Sequence, residues 1–314
     1  MDEAGIIERL RGLADHPAAR KLHDDASIWL PPLGRELVLT HDSIAVGVHY
    51  LPDDDPSDIA WKLVATNLSD LAAKGAVPAG VLLSLAFDAV DDGWVDGFVG
   101  GLARVLSDHD TTLFGGDTLR AASIVLGCTA IGHVPRGESL ARSGARKGDA
   151  LYVTGTIGDA GLGLAAQRGD TPPNKFLQRR YRLPMPRLAV GQGLFTAGAS
   201  AAMDVSDGLL IDAKRLAAAS GLAASIDLAT VPLSDEAAAR LPDTDEGRLT
   251  AATSGDDYEL LFSATPQTHA ALVTLCEASR LRLTRIGTLS GGEGLTVLGQ
   301  DGAPVTPDRL GYEH

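Results

Sequence analysis

The chain has 314 residues, 45% of them hydrophobic, with 36 glycines, 16 prolines and a formal net charge of −14. Its length exceeds one ordinary hydrophobic core, so two domains are expected, and its acidity argues against nucleic-acid partners, which demand a basic footprint. No apolar run approaches the roughly 20 residues that span a bilayer, and the acidic, amphipathic start MDEAGIIERLRGLADH is not a signal peptide.

Taken in chain order, residues 3–13 read as an amphipathic helix, and strands are expected at 26–30, 36–40 and 43–50. Pro56 opens a long helix through NLSDLAAK that Gly75 closes. VLLSLAF (81–87) reads as a strand, GWVDGFVGGLARVLSDH as a helix, and TTLFGG and SIVLGCTAIGHV as strands. The polar, glycine-punctuated run 135–149 reads as a linker. After it, ALYVTGTIGDAGLGLAAQ reads as strand, glycine turn and helix. Helices are expected at 187–196 and 208–220, and strands near 201–205, 223–228, 258–264, 283–288 and 295–298. The division is into domains 1–138 and 139–314. Cys128 and Cys276 sit in apolar segments and read as buried thiols, which places the chain in the cytoplasm by default.

Aspartates recur at element ends: LHDDAS (Asp24, Asp25), LTHDS (Asp42), NLSDLAAKG (Asp70), FGGDT (Asp117), MDVSDGLL (Asp204, Asp207) and SGDDYELLF (Asp256, Asp257). Carboxylates gathered at such positions repel unless a cation lies between them, and hard oxygen ligands suit Mg²⁺ together with substrate phosphates. Each string also has a plainer reading. Ser206 or Asp207 would cap the helix that follows, Asp70 would pair with Lys74 four residues on, and Asp256 and Asp257 would cap a strand entrance. TGTIGDAGLG would cradle phosphate or merely turn the chain, since it lacks a P-loop's GK[ST] ending. His49 would bind an anionic group or lie buried and hydrogen-bonded.

HDDAS, THDSIAVGVHYLPDDDP, WKLVATNLSDLAAKGAVP, GGDT, ARSGARKGD, VTGTIGD, MDVSDGLL, SGDDYELLF and the terminal GYEH together resemble the thiamine-monophosphate kinase family, in order from about residue 22 to 314. That family belongs to a wider group with aminoimidazole ribonucleotide synthetase and selenophosphate synthetase. The resemblance implies an α+β / α/β, two-domain aminoimidazole ribonucleotide synthetase-like fold. In it an N-terminal ATP/Mg-binding and dimerisation domain pairs its sheet into a dimeric barrel, beside an α/β C-terminal domain. It also implies ATP-dependent phosphorylation of thiamine monophosphate to thiamine diphosphate, the last step of that cofactor's biosynthesis, by a homodimer.

Carried over by motif, the magnesium ligands are Asp25, Thr40, Asp42, Asp70, Asp117, Asp204 and Asp207, with His41 contributing through its backbone. ATP contacts fall on Gly116, Asp117, Arg142 and Ser206, thiamine phosphate contacts on His49, Asp256 and Tyr312, and catalysis on Asp207 and Arg142. Three positions depart from the family's pattern: His23 for a glycine, His41 for a hydroxyl residue, and Asp256 for a glutamate.

Overall fold

A computed structural model describes residues 3–87 and 90–313, which divide into two compact units, residues 1–71 with 76–137, and residues 72–75 with 138–314. The first contains helix α1 (Glu3–Arg11), strand β1 (Arg35–Ala45), helix α2 (Pro56–Ala73, whose last residues group with the second unit), β2 (Val77–Phe87), α3 (Asp92–Asp108), β3 (Leu113–Arg120) and β4 (Val125–Pro135). Its four strands lie in the order β1-β4-β2-β3, with β2 and β3 parallel and the other pairs antiparallel. A parallel pair needs a long crossover, and α3 supplies it. Apolar positions at helical spacing (Val95, Phe98, Leu102, Val105) put one face of α3 into the core with Ile59, Leu63 and Leu68 of α2.

Three expectations fail in this unit. The strands expected at 36–40 and 43–50 merge into one strand, β1, which ends at Ala45 and gives way to a turn over 46–50, and residues 26–30 form none. That segment is held instead by side chains: the Trp29 ring lies 5.9 Å from Phe114 and stacks 6.1 Å from His133. The expected barrel is also absent. The sheet is open, ending at β1 and β3, and a barrel needs every strand flanked on both sides.

The second unit contains β5 (Ala150–Thr154), α4 (Asp159–Arg168), α5 (Lys175–Arg182), α6 (Leu188–Leu194), β6 (Ala199–Asp204), α7 (Leu209–Ala219) and β7 (Leu222–Asp227). Next come α8 (Asp235–Ala238), α9 (Asp245–Ala252), β8 (Leu260–Ala264), α10 (His269–Ala278), β9 (Leu283–Gly291), β10 (Leu295–Leu298) and β11 (Pro304–Val305). The seven strands run β11-β10-β7-β9-β5-β8-β6. Successive strand residues face opposite ways, and here both faces are covered. Leu151 and Val153 of β5 enter one core with Met203, Leu210, Leu216 and Ile226, while Ala150 and Tyr152 enter another with Phe262, Leu272 and Cys276. This explains why β5 and β8 are buried throughout and read as continuous apolar runs. Both thiols are buried, and burial raises the pKa of each.

Candidate active site

In the first unit, β1 and α2 bring one set of predicted residues together. Thr40 and Asp42 are two apart and share a face of β1. The Thr40 hydroxyl donates to Asp70 Oδ2 at 2.5 Å, and the Asp42 N–H donates to Asn67 Oδ1 at 2.9 Å. Asn67 is wholly buried and its own NH₂ donates to Leu63 O, so the amide is fixed on both sides. His41, between Thr40 and Asp42, points the other way, with Nδ1 2.8 Å from Thr129 Oγ1 and Nε2 3.3 Å from Ser43 Oγ.

Asp117 lies elsewhere on the sheet. It pairs with Ser84, Ser84 with Gly127 and Gly127 with Ser43, so three strand spacings, about 14 Å, separate it from β1. Asp25 and Asp117 instead line one cleft of about 720 Å³, together with Asp24, Gly116, Phe114, Ser84 and Thr129. Asp24 is held by Arg20, which keeps its carboxyl below the ordinary range, and accepts the Asp25 N–H at 2.9 Å. Gly116 has φ +157°, and a Cβ there would meet Leu83 O at 2.1 Å, so glycine is what lets β3 lie against β2 at the cleft. His49 Nδ1 accepts the Ala45 N–H at 3.1 Å, and its carbonyl accepts from Lys62 Nζ at 2.9 Å.

In the second unit three distant segments meet. The Asp256 N–H donates to Ser206 O and the Tyr312 N–H to Asp207 O, each at 2.8 Å, and the Tyr258 N–H donates to Val205 O at 2.8 Å. Ser206, Asp207, Asp256 and Tyr312 therefore share one rim, just beyond buried Asp204 at the end of β6. Asp256 (φ +69°) and Tyr258 (φ +50°) are left-handed, a strained state for such residues, and the Tyr258 hydroxyl donates to Asp256 Oδ1 at 3.2 Å.

Arg142 is not at this rim. Its carbonyl accepts from Ser220 Oγ at 3.0 Å, at the far end of α7 from Asp207, and the eleven residues of α7 span about 16 Å.

The partners of Asp207 are two residues that no motif singled out. Asp212 Oδ2 accepts the N–H groups of Ser206, Asp207 and Gly208 at 3.1, 3.1 and 3.3 Å, filling the N-terminus of α7. Arg215 donates to both Asp207 and Asp212. Burial pushes the Asp212 carboxyl up to about 6, against the pull of the Asp207 N–H and Arg215. Spacing offered a signal, since Asp212 and Arg215 are three apart on one helix face.

The TGTIGD turn is filled in a similar way. Asp257, wholly buried, accepts the N–H groups of Gly158 (2.7 Å) and Ala160 (3.3 Å) at the start of α4. Beside it Glu259 accepts from Arg187 Nε and Thr154 Oγ1, each at 2.8 Å, and from Arg180 Nη2 at 2.9 Å, while Arg180 Nε lies 3.5 Å from buried Asp159. Asp257 thus binds the protein's own amides, the plainer of the two readings for that turn.

The donors around Thr40, Asp42 and Asp70, and around Asp204 and Asp207, are hard oxygens. Among the described residues no three His, Cys, Asp or Glu side chains converge closely enough to cage an ion. Such a donor set fits Mg²⁺, which usually binds through one or two carboxylates and completes its shell with water and phosphate oxygens. Asp207 already has a cationic partner in Arg215, so its position is one where positive charge is held.

Comparison with known proteins agrees with this geometry. Residues 23–134 match the AIR synthase related protein N-terminal domain family, and residues 146–300 match the corresponding C-terminal domain family. A thiamine-monophosphate kinase of Caulobacter vibrioides is 40% identical over 304 residues, covering 95% of this chain and 86% of that protein. The crystal structure of thiamine-monophosphate kinase from Stenotrophomonas maltophilia K279a superposes with a TM-score of 0.86 at 38% identity, covering 97% and 98% of the two chains. A structure of AaThiL complexed with AMPPCP and TMP superposes at 0.78 with 28% identity, covering 99% and 97%. With both domain families matched in sequence and relatives this similar along nearly its whole length, the chain belongs to the thiamine-monophosphate kinase family.

Proposed function

We propose that the chain works by direct, in-line transfer of the terminal phosphoryl group of ATP to the phosphate of thiamine monophosphate, with no phosphoenzyme. It is a phosphotransferase that makes thiamine diphosphate from thiamine monophosphate in an ATP-dependent reaction. The observation that carries the mechanism is the rim of the second unit, where Ser206, Asp207, Asp256 and Tyr312 are tied together by backbone hydrogen bonds.

The acceptor is itself an ionised phosphate, so no general base is needed to activate it. The barrier lies in bringing two anions together: two unit charges 4 Å apart repel by about 4 kcal/mol at an effective dielectric of 20. Bound magnesium supplies the neutralising charge and orients the reacting oxygens. In the first unit Asp42, Asp70 and the Thr40 hydroxyl would hold it, and Asp25 and Asp117 would do so at the cleft, which Gly116 also lines and where it would contact ATP. In the second unit Asp204 and Asp207 would hold it. Ser206 presents a hydroxyl and exposed Arg142 a guanidinium for ATP phosphates. Asp256 and Tyr312 would contact thiamine phosphate at the rim, and the left-handed backbone at Asp256 fixes where its shorter side chain points; His49, within the first unit, would bind an anionic group.

Two copies of the chain pair through the first unit, an inference supported by exposed Leu37 (47%) and Leu39 (62%) along edge strand β1 and by exposed Ile28, Leu30 and Leu33 before it.

The test is ADP release by the purified chain on adding thiamine monophosphate, with and without Mg²⁺. Release that ignores the metal, or that follows a purine-precursor acceptor instead, overturns the proposal. Stereochemical analysis at the transferred phosphorus is expected to show net inversion, and retention would reveal a covalent intermediate.

A further inference from the structure

Arg215 sits between two carboxylates of unlike mobility. Asp212 is wholly buried and fixed by three backbone N–H groups, whereas the Asp207 side chain is 24% exposed at the rim and that of Arg215 is 40% exposed. A single guanidinium nitrogen, Nη1, donates to Asp207 Oδ2 at 2.5 Å and to Asp212 Oδ1 at 2.9 Å. Without that cation two anions would face each other across the first turn of α7. The buried one cannot turn to water, because its other oxygen holds the turn together. The rim carboxylate can, since a partly exposed ion pair is weakly held.

We propose that Arg215 is a built-in counter-cation for Asp207. It neutralises and parks the Asp207 carboxylate while no metal is bound. A divalent ion then takes Asp207 by displacing Arg215, which stays on Asp212. Asp212 is thus a positioning residue: it holds the backbone that carries Asp207 and keeps the displaced guanidinium at the site. This rests on the reading of Asp207 as a metal-holding residue. Exchange of one cation for another keeps the net charge of the turn low throughout, so the Ser206–Gly208 backbone need not move when the ion arrives.

The experiment is Mn²⁺ titration of the full chain without nucleotide, followed by the electron paramagnetic resonance of the free ion. Competition between two cations for one carboxylate is reciprocal, so Arg215→Gln and Arg215→Met are expected to tighten Mn²⁺ binding about tenfold, as for typically coupled sites. Arg215→Lys, which keeps the charge, is expected to stay near the parent affinity. The gain is expected to vanish when Asp207→Asn is added. Unchanged or weaker Mn²⁺ binding in folded Arg215→Gln overturns the proposal, and that variant, which retains hydrogen-bond donors, serves if Arg215→Met does not fold. If Asp207→Asn alone binds Mn²⁺ like the parent, the metal reading beneath the proposal fails instead.

Discussion

Glu259 and Asp257 are neighbours in one buried network, yet they titrate in opposite directions. Burial pushes Glu259 upward, but Arg187 and Arg180 outweigh it and hold its carboxyl below the ordinary 4.5. It therefore contributes stability that is present above that value and lost as pH falls through its depressed folded value. Replacing Glu259 with Gln strips partly buried Arg187 of its carboxylate and leaves Arg180 only Asp159 and Asp257 nearby, and should cost about 3–5 kcal/mol in urea unfolding at neutral pH, the difference shrinking below pH 4.5. An undiminished difference in acid would rule this account out. For Asp257, burial dominates and raises the carboxyl from 3.8 to about 8, despite the opposing pull of Arg180. Its contribution is fully present below 3.8 and is lost as pH rises through about 8. Asp257→Asn should flatten that decline, although it leaves an acceptor for only one of the Gly158 and Ala160 N–H groups and turns an NH₂ donor toward the other, so the variant is expected to be less stable overall. A stability profile as steep as the parent's would show that Asp257 is ionised in the fold. The strings containing these residues are conspicuous in the sequence, but which aspartate turns inward is not. Asp256 and Asp257 look alike until a left-handed backbone at Asp256 and Tyr258 sends one to the rim and the other to the start of α4.

At the scale of elements, the N-termini of α4 and α7 look like phosphate sites in sequence and are occupied by the chain's own carboxylates, Asp257 and Asp212. Helix-end amides need hydrogen-bond acceptors, and a carboxyl group on the same fold reaches them without losing the freedom that a ligand must give up. The α4 turn depends on Gly158, whose φ is +88° and whose absent Cβ would lie 2.6 Å from Ala251 Cα. Gly158→Ala should lower the urea midpoint with an unchanged m-value, the left-handed backbone alone costing on the order of 1–3 kcal/mol. An unshifted midpoint would mean that α9, which carries Ala251, gives way freely. Elements with strong periodicity or caps were legible in advance, among them α2, α3, α7 and β5. The sequence reading contains no helix at α5, α9 or α10. Helix α5, KFLQRRYR, is polar apart from the stripe that buries Leu177 and Tyr181, and its start depends on the Asn174 side chain accepting the Leu177 N–H. The missing strand at 26–30 is the converse case: its apolar residues pack through side chains, Trp29 on Phe114 and His133, without joining the sheet.

At the scale of the whole molecule, an eleven-residue edge strand with exposed leucines invites a partner. Leu37→Asp with Leu39→Asp should halve the mass in sedimentation velocity while the second unit's ion-pair network keeps its stability, and a parent chain that sediments as a monomer refutes the pairing. Among the described residues no helix is long and apolar enough to cross a membrane. The sequence by itself determined the family and the oxygen-only character of the candidate ligands, because these depend on residue type and order along the chain. Only the tertiary structure decided that the first sheet is open, that Asp117 stands apart from Asp42 and Asp70, and that Arg215 rather than Arg142 meets Asp207. Those outcomes depend on strand order, register and backbone handedness, and these are set by packing between segments far apart in sequence.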